Sequence, residues 1–166
     1  MNYQFQNILE NLEEGNTLEL TEENFSNEIL LNEYLQCAIL GKINFFNCDF
    51  ESIDFTGSTF VACKFNNCRV KNTTFRKSQF WNSTFESCQI EKCDLTRGGF
   101  YGGNFKNCNF LDVNLRASDF SDFEFIETKF NKSNLDLIGV RSVKLWQSNQ
   151  CIEIEKSSNF KEFLNK

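Results

Sequence analysis

A large apolar residue stands at every fifth position from Leu40 to Leu135, unbroken over twenty consecutive positions. Fourteen of these are Phe (Phe45, Phe50, Phe55, Phe60, Phe65, Phe75, Phe80, Phe85, Phe100, Phe105, Phe110, Phe120, Phe125, Phe130), four are Leu, and Val70 and Ile90 complete the set. With 40% hydrophobic content overall, chance does not produce such a run. It fits neither regular element: at about 100° per residue a five-residue step scatters around a helix, and at about 180° it sends successive members to opposite faces of a strand. The backbone therefore has to turn once per repeat. Each pentapeptide becomes one side of a polygonal coil, its fifth residue (position i) points to the axis, and stacked coils bury a continuous core.

Position i−2 lies on the same side of the local pleat and asks for small groups. It holds Ala38, Cys48, Ser58, Cys63, Cys68, Thr73, Ser78, Ser83, Cys88, Cys93, Gly98, Gly103, Cys108, Val113, Ser118, Thr128 and Ser133, with Ile43, Ile53 and Phe123 as bulky departures. Positions i−1, i+1 and i+2 are mixed and polar, as an outward surface should be.

Runs such as Cys48-Asp49-Phe50-Glu51-Ser52, Cys93-Asp94-Leu95-Thr96-Arg97 and Val113-Asn114-Leu115-Arg116-Ala117 resemble the A(D/N)LXX unit of the pentapeptide-repeat family. The resemblance covers residues 38–137 and rests on the length of unbroken register. It implies an all-β solenoid, a right-handed quadrilateral β-helix with four pentapeptides per coil. Residues 38–137 would then make about five coils, a rod roughly 24 Å long at a strand spacing of about 4.8 Å. Phe in place of Leu at i, and Cys or Ser in place of Ala at i−2, depart from the family pattern in packing detail.

Flanking segments are expected to close the ends, dividing the chain into an N-terminal cap and lead-in (1–37), the repeat (38–137) and a C-terminal strand and helix cap (138–166). Phe5, Ile8, Leu9 and Leu12 follow helical spacing, so residues 2–14 read as an amphipathic helix stopped by Gly15. The five-phase continues back through Leu35, Leu30 and Phe25, but Glu33, Glu28 and Glu23 occupy i−2, so residues 16–37 are expected to be irregular. Val140 and Leu145 keep the phase at the other end, Cys151-Ile152-Glu153-Ile154 reads as a last strand, and Ser157 or Ser158 would cap a helix presenting Phe160, Phe163 and Leu164. The helices either protect the sheet edges or, as family members can do at a terminus, form a dimer contact, leaving monomer and dimer both open.

Six of eight cysteines sit at i−2, where they read as small buried hydrophobes rather than a disulfide framework. Stacking by twenty puts Cys48, Cys68, Cys88 and Cys108 in one column, whose parallel Cβ vectors would strain a disulfide. Zinc is disfavoured by a linear thiol row in a chain without His, and Cys37 and Cys151 lie near opposite ends. The sequence has no basic-then-apolar leader and no apolar stretch long enough to span a bilayer, so a soluble cytoplasmic protein is expected. Of the formal charge of −6, residues 1–36 carry eight acids (Glu10, Glu13, Glu14, Glu19, Glu22, Glu23, Glu28, Glu33) and no Lys or Arg. The remainder, with 17 basic and 15 acidic groups, is nearly neutral.

No catalytic, cofactor or metal site is expected. The glycine pairs Gly98-Gly99 and Gly102-Gly103 lack the Lys-Ser/Thr ending of a phosphate loop and read as tight turns. Without His no Ser-His-Asp or Cys-His arrangement can be built, and carboxylates such as Asp119 and Asp122 would sit on a convex rod without a cleft. Two outward features remain. Val61, Trp81 and Tyr101 share one i+1 column, as a protein contact or as a self-stacked ladder; Arg76, Lys77, Arg97 and Arg116 cluster on another face, as a site for phosphate or an acidic partner or as solvated charge. The function expected is a non-enzymatic, rigid protein-binding or scaffold module. The family resemblance supplies the alternative, since some members are DNA mimics that modulate gyrase and protect it from quinolones. Mimicry asks for an acidic rod, which the near-neutral coil is not.

Overall fold

The computed structural model describes residues 4–157, 159 and 160. The chain winds into a solenoid of about six turns with four walls. The first wall stacks Glu19–Thr21, Ile39–Gly41, Thr59–Val61 and the starts of three longer strands, Gln79–Glu86, Gly99–Lys106 and Asp119–Ile126, with Gly139–Arg141 beyond. Those longer strands bend through a corner into the second wall, which begins with Asn24–Ser26, Asn44–Phe46 and Lys64–Asn66 and ends with Val143–Gln147. The third wall is a separate sheet of six three-residue strands from Ile29–Leu31 to Lys129–Asn131. The fourth is a line of single parallel bridges, Tyr34, Asp54, Thr74, Asp94, Asn114 and Asn134. All stacked partners lie twenty residues apart, the register that four pentapeptides per coil demand.

Each corner turns at i+2, where every residue from Glu22 to Ser142 in steps of five has positive φ, between 48° and 74°. Only Gly57 and Gly102 in that series are glycine. The sequence signal for these corners was the recurrence of Asn at i+2 (Asn27, Asn47, Asn67, Asn107), since Asn tolerates the left-handed region better than most residues. The first three stack as an amide ladder, with Asn47 Nδ2 donating to Asn27 Oδ1 at 2.6 Å and Asn67 Nδ2 to Asn47 Oδ1 at 3.0 Å. On the fourth wall the Asp or Asn at i−1 has its own task. The side-chain oxygens of Asp54, Asp94, Asn114 and Asn134 accept the N–H two residues on, closing an Asx turn.

Position i is the core. Phe60, Phe80, Phe100 and Phe120 stack coil on coil at ring separations of 4.6, 4.9 and 4.7 Å. Phe45, Phe65, Phe85 and Phe105 do the same on the second wall. The i−2 groups are small for packing, and polar for a second reason. Ser58, Ser78 and Ser118 hydroxyls donate to the carbonyls of Leu35, Phe55 and Leu95, each 23 residues earlier, and the thiols of Cys63 and Cys108 do so to Leu40 and Phe85. The bulky departure Phe123 stacks on Gly103 one coil back and packs its ring against Phe100, Phe105, Phe120 and Phe125.

Residues 16–37 depart from the irregular lead-in expected of them. They form a regular coil with strands at Glu19–Thr21, Asn24–Ser26 and Ile29–Leu31, so the solenoid gains a turn over the expected five. Glu28 and Glu23 do not break it because in the end coil these i−2 side chains face the cap rather than another coil, and Glu33 remains half-exposed. Glu28 is 1% exposed, and its Oε1 accepts the backbone N–H of Gln4, while Glu23 Oε2 accepts Gln4 Nε2. An acceptor is needed there because a helix start offers N–H groups where a coil would offer carbonyls.

Of the helix expected over 2–14, the described part spans Gln4–Glu10 and stops four residues early at its C-terminal end; residues 2 and 3 lie outside the described residues. It ends in tightened turns in which the N–H groups of Asn11 and Leu12 reach back only three residues, and Gly15 follows at φ +86°. Phe5 plugs the coil end 4.8 Å from Phe25 and 6.0 Å from Phe45. At the far end Gln150–Ile154 folds back antiparallel on Val143–Gln147. Phe160 is buried against Phe120, Phe125 and Phe130. Ser158, Phe163 and Leu164 lie outside the described residues.

Two outcomes are expected. Phe85→Ala removes a ring stacked between Phe65 at 4.4 Å and Phe105 at 4.9 Å and should cost about 3–5 kcal/mol in a denaturant melt, whereas Gln89→Ala on the exposed surface should change stability by no more than about 0.5 kcal/mol. Deleting residues 1–14 uncovers Phe25, Phe45 and Glu28 together, so size-exclusion chromatography should show association; a clean monomer of unchanged stability would mean that the first coil closes itself.

Candidate functional site

Outward positions on a flat wall are set by register alone, and the first wall brings Val61, Trp81 and Tyr101 side by side. Trp81 is 45% and Val61 40% exposed. The Trp81 and Tyr101 rings stack at 4.4 Å and 28°. Tyr101 does not stand straight out. A Cβ on Gly99 would come within 2.6 Å of the Tyr101 hydroxyl, so the ring leans across the bare backbone of Gly99. The next residue in the column is Ser121, and beside it Gly139 adds no bulk, so beyond Tyr101 the wall opens into a recess of about 310 Å³ that also exposes Asp119 and Arg141. Arg141 Nε donates to Ser121 Oγ at 3.0 Å.

The four basic residues surround the corner between the fourth and first walls. Arg76 Nε lies 3.9 Å from Asp94 Oδ2. Lys77 and Arg97 are successive corner residues, locked by N–H bonds to the carbonyls of Thr96 and Arg116; neither holds a carboxylate among the described residues. Stacking two like charges in one column is unfavourable. Gly98, Gly99 and Phe100 separate the Arg97 corner from Tyr101, so the basic cluster, with Arg76 and Arg116 on the fourth wall, borders the first wall at the edge away from the aromatic stripe. Of the glycine pairs read as turns, Gly102 and Gly103 have positive φ and make one, whereas Gly99 lies in a strand and clears space for Tyr101.

Elsewhere acid and base alternate coil by coil. Arg69 meets Asp49 at 3.1 Å, Lys71 meets Glu51 at 4.0 Å, Lys106 meets Glu86 at 2.7 Å and Lys42 meets Glu22 at 2.6 Å, each pair twenty residues apart. The hydrogen bond from Lys42 lowers the Glu22 carboxyl below its ordinary value.

The cysteines are all free, six buried and Cys37 and Cys151 exposed. Burial pushes the Cys63 thiol up to about 11 and the Cys93 thiol up to about 12, and hydrogen bonding to Cys68, then burial, raises Cys48. Thiols held protonated are poor nucleophiles and poor ligands. Among the described residues no group of His, Cys, Asp or Glu is placed to hold a metal ion, and no helix is long and apolar enough to cross a membrane.

The family model for pentapeptide repeats matches residues 63–98 and 108–136, in eight copies. The chain therefore carries pentapeptide repeats, and its walls, corners and inward Phe columns are built from them. No curated protein matches it. Among solved structures it is similar to a trypsin-treated form of QnrB1, a plasmid-mediated fluoroquinolone resistance protein, at 20% identity over 74% of this chain and 72% of that one, with a TM-score of 0.30. It is also similar to a pentapeptide repeat protein of the Arabidopsis thaliana thylakoid lumen, at 21% identity over 57% of this chain and 64% of that one, TM-score 0.36. A third is Rfr23 of the cyanobacterium Cyanothece 51142, at 13% identity, covering 78% and 91% of the two chains with a TM-score of 0.34.

The raised thiols give a pH dependence. A thiol that ionises near 9.0 when unfolded but near 11 or 12 when buried leaves the native state binding more protons in that window. Stability is therefore complete below pH 9 and falls as pH rises through about 11 to 12. Urea midpoints between pH 8 and 11 should drop, and Cys63→Ala/Cys93→Ala should flatten the drop.

Proposed function

We propose that this chain is a non-enzymatic scaffold that binds another protein through its first wall, taking a segment with apolar and acidic side chains. The observation that carries the reading is the composite surface of Val61, Trp81 and leaning Tyr101, bounded by Lys77 and Arg97. Aromatic anchors on a stiff support lose little entropy on docking. Unpaired cations at the rim steer an acidic partner and fix its register. A reducing cytoplasm suits a chain with eight free thiols.

The geometry favours this over a DNA-mimicking gyrase modulator, which needs a continuous negative surface; here the coil-by-coil alternation of Asp49 with Arg69, Glu51 with Lys71 and Glu86 with Lys106 cancels it. A supercoiling assay with quinolone should show the inhibition unchanged by this protein.

Trp81→Ala/Tyr101→Ala should leave the melting temperature within a few degrees, because outward side chains add little to the core. Quantitative mass spectrometry should show loss of proteins recovered with the wild type. Lys77→Glu/Arg97→Glu should weaken the same capture in a salt-dependent way. Strong destabilisation with capture intact would make the stripe a structural stack and leave the Arg76, Lys77, Arg97 and Arg116 corner as the surface to pursue.

A further inference from the structure

The N-terminal end of the rod presents an open strand edge beside a groove, distinct from the aromatic wall. The strand Glu19–Thr21 is the terminal strand of the twelve-stranded sheet. Leu18 O accepts from Ile39 N at 2.8 Å and Glu22 N donates to Gly41 O at 2.9 Å, so residues of that phase point their backbone groups into the stack. In a parallel ladder the alternate residues point the other way. The N–H and C=O groups of Glu19 and Thr21 therefore face outward from the end of the sheet.

The helix does not cover them. Phe5 seats it on Phe25 and Phe45, over the second wall, and between it and the first wall lies an open groove of about 1210 Å³. Ile8, Leu12, Leu18 and Leu20 give the groove apolar lining, and Glu19 and Glu23 stand among its polar residues. Residues 1–36 add no Lys or Arg to offset their eight acids.

We propose that this groove accepts an extended, basic segment of another protein, alternating apolar residues with Lys or Arg, which adds as a strand to Glu19–Thr21. Main-chain bonds to Glu19 and Thr21 would supply affinity, the apolar lining would select side-chain spacing, and the acidic surround would select charge. A second copy of this chain is the poorer occupant. Its opposite sheet edge, Gln150–Ile154, carries exposed Glu153 with Glu155 immediately after, setting acid against acid.

The test uses the full chain and two short labelled peptides, one alternating Lys with Val and Leu, the other with Glu in place of Lys, followed by fluorescence anisotropy and residue-resolved amide exchange. The basic peptide should bind, lose about tenfold or more in affinity between low and high salt, and slow exchange at Glu19 and Thr21. Thr21→Pro, which deletes an outward N–H at an edge that tolerates proline, should weaken binding about tenfold. Should that variant not fold, Glu19→Lys changes only an exposed charge and should weaken binding about threefold or more. Equal binding of the acidic peptide, no binding of the basic one, protection confined to other amides, or protection of Glu19 and Thr21 by self-association without peptide would each overturn the proposal.

Discussion

The left-handed corner is the constraint on which the rest of this structure depends. A chain of L-residues turns every five residues only if i+2 adopts positive φ, which costs on the order of 1 kcal/mol at each non-glycine corner. This chain places Lys, Arg, Glu and even Leu137 there. Such corners persist because the coils on either side over-determine them: the corner N–H bonds to the carbonyl of the next coil, as Lys77 does to Thr96 and Asn67 does to Glu86. Stacking at twenty therefore precedes everything else, since a single coil could not hold its own turns. The aromatic columns supply the stacking force, with rings at 4.4–5.0 Å offsetting corner strain layer by layer.

Position i and the small residues at i−2 made the solenoid legible, because both are inward and answer to packing alone. The sequence reading failed where a residue's partner is not another coil. Glu23, Glu28 and Glu33 looked like coil breakers under the rule that i−2 is small, but that rule holds only where a coil lies beneath. Glu28 instead meets the helix at Gln4. Hydroxyls at i−2 were legible as small, yet their bonds to carbonyls 23 residues back depend on the rise of one coil plus the width of a pleat. The lean of Tyr101 was hidden for a related reason: it is decided by the missing Cβ of Gly99, two residues away on the same strand.

The ends and the middle of the rod follow different rules. In the middle, the strands of a wall pair with the coils above and below, and side-chain ladders such as Asn27, Asn47 and Asn67 extend that regularity outward. At the ends the ladder stops, and each end is closed in its own way. The N-terminal end uses a perpendicular plug, Phe5, with a carboxylate beneath it; the C-terminal end reverses direction into an antiparallel strand and buries Phe160. A plug covers side chains better than it covers strand edges, which is why the backbone of Glu19–Thr21 stays open at one end.

Because the core is nearly uniform along the axis, specificity resides in the outward columns, and a column differs from its neighbours only through the residues placed at one spacing of twenty. Several columns here neutralise themselves by pairing opposite charges, as Asp49 and Arg69 do. The first wall breaks that habit at both of its edges, stacking Trp81 on Tyr101 at one and placing Lys77 next to Arg97 at the other. Aromatic self-stacking alone would explain the first, but it gives no reason for two cations in succession at a corner that already carries backbone strain. One cost falls on each edge of the same wall, the cations at its corner with the fourth wall and the rings beside its corner with the second. The docking surface proposed above covers both, with a partner acidic where it meets the corner and apolar where it meets the rings.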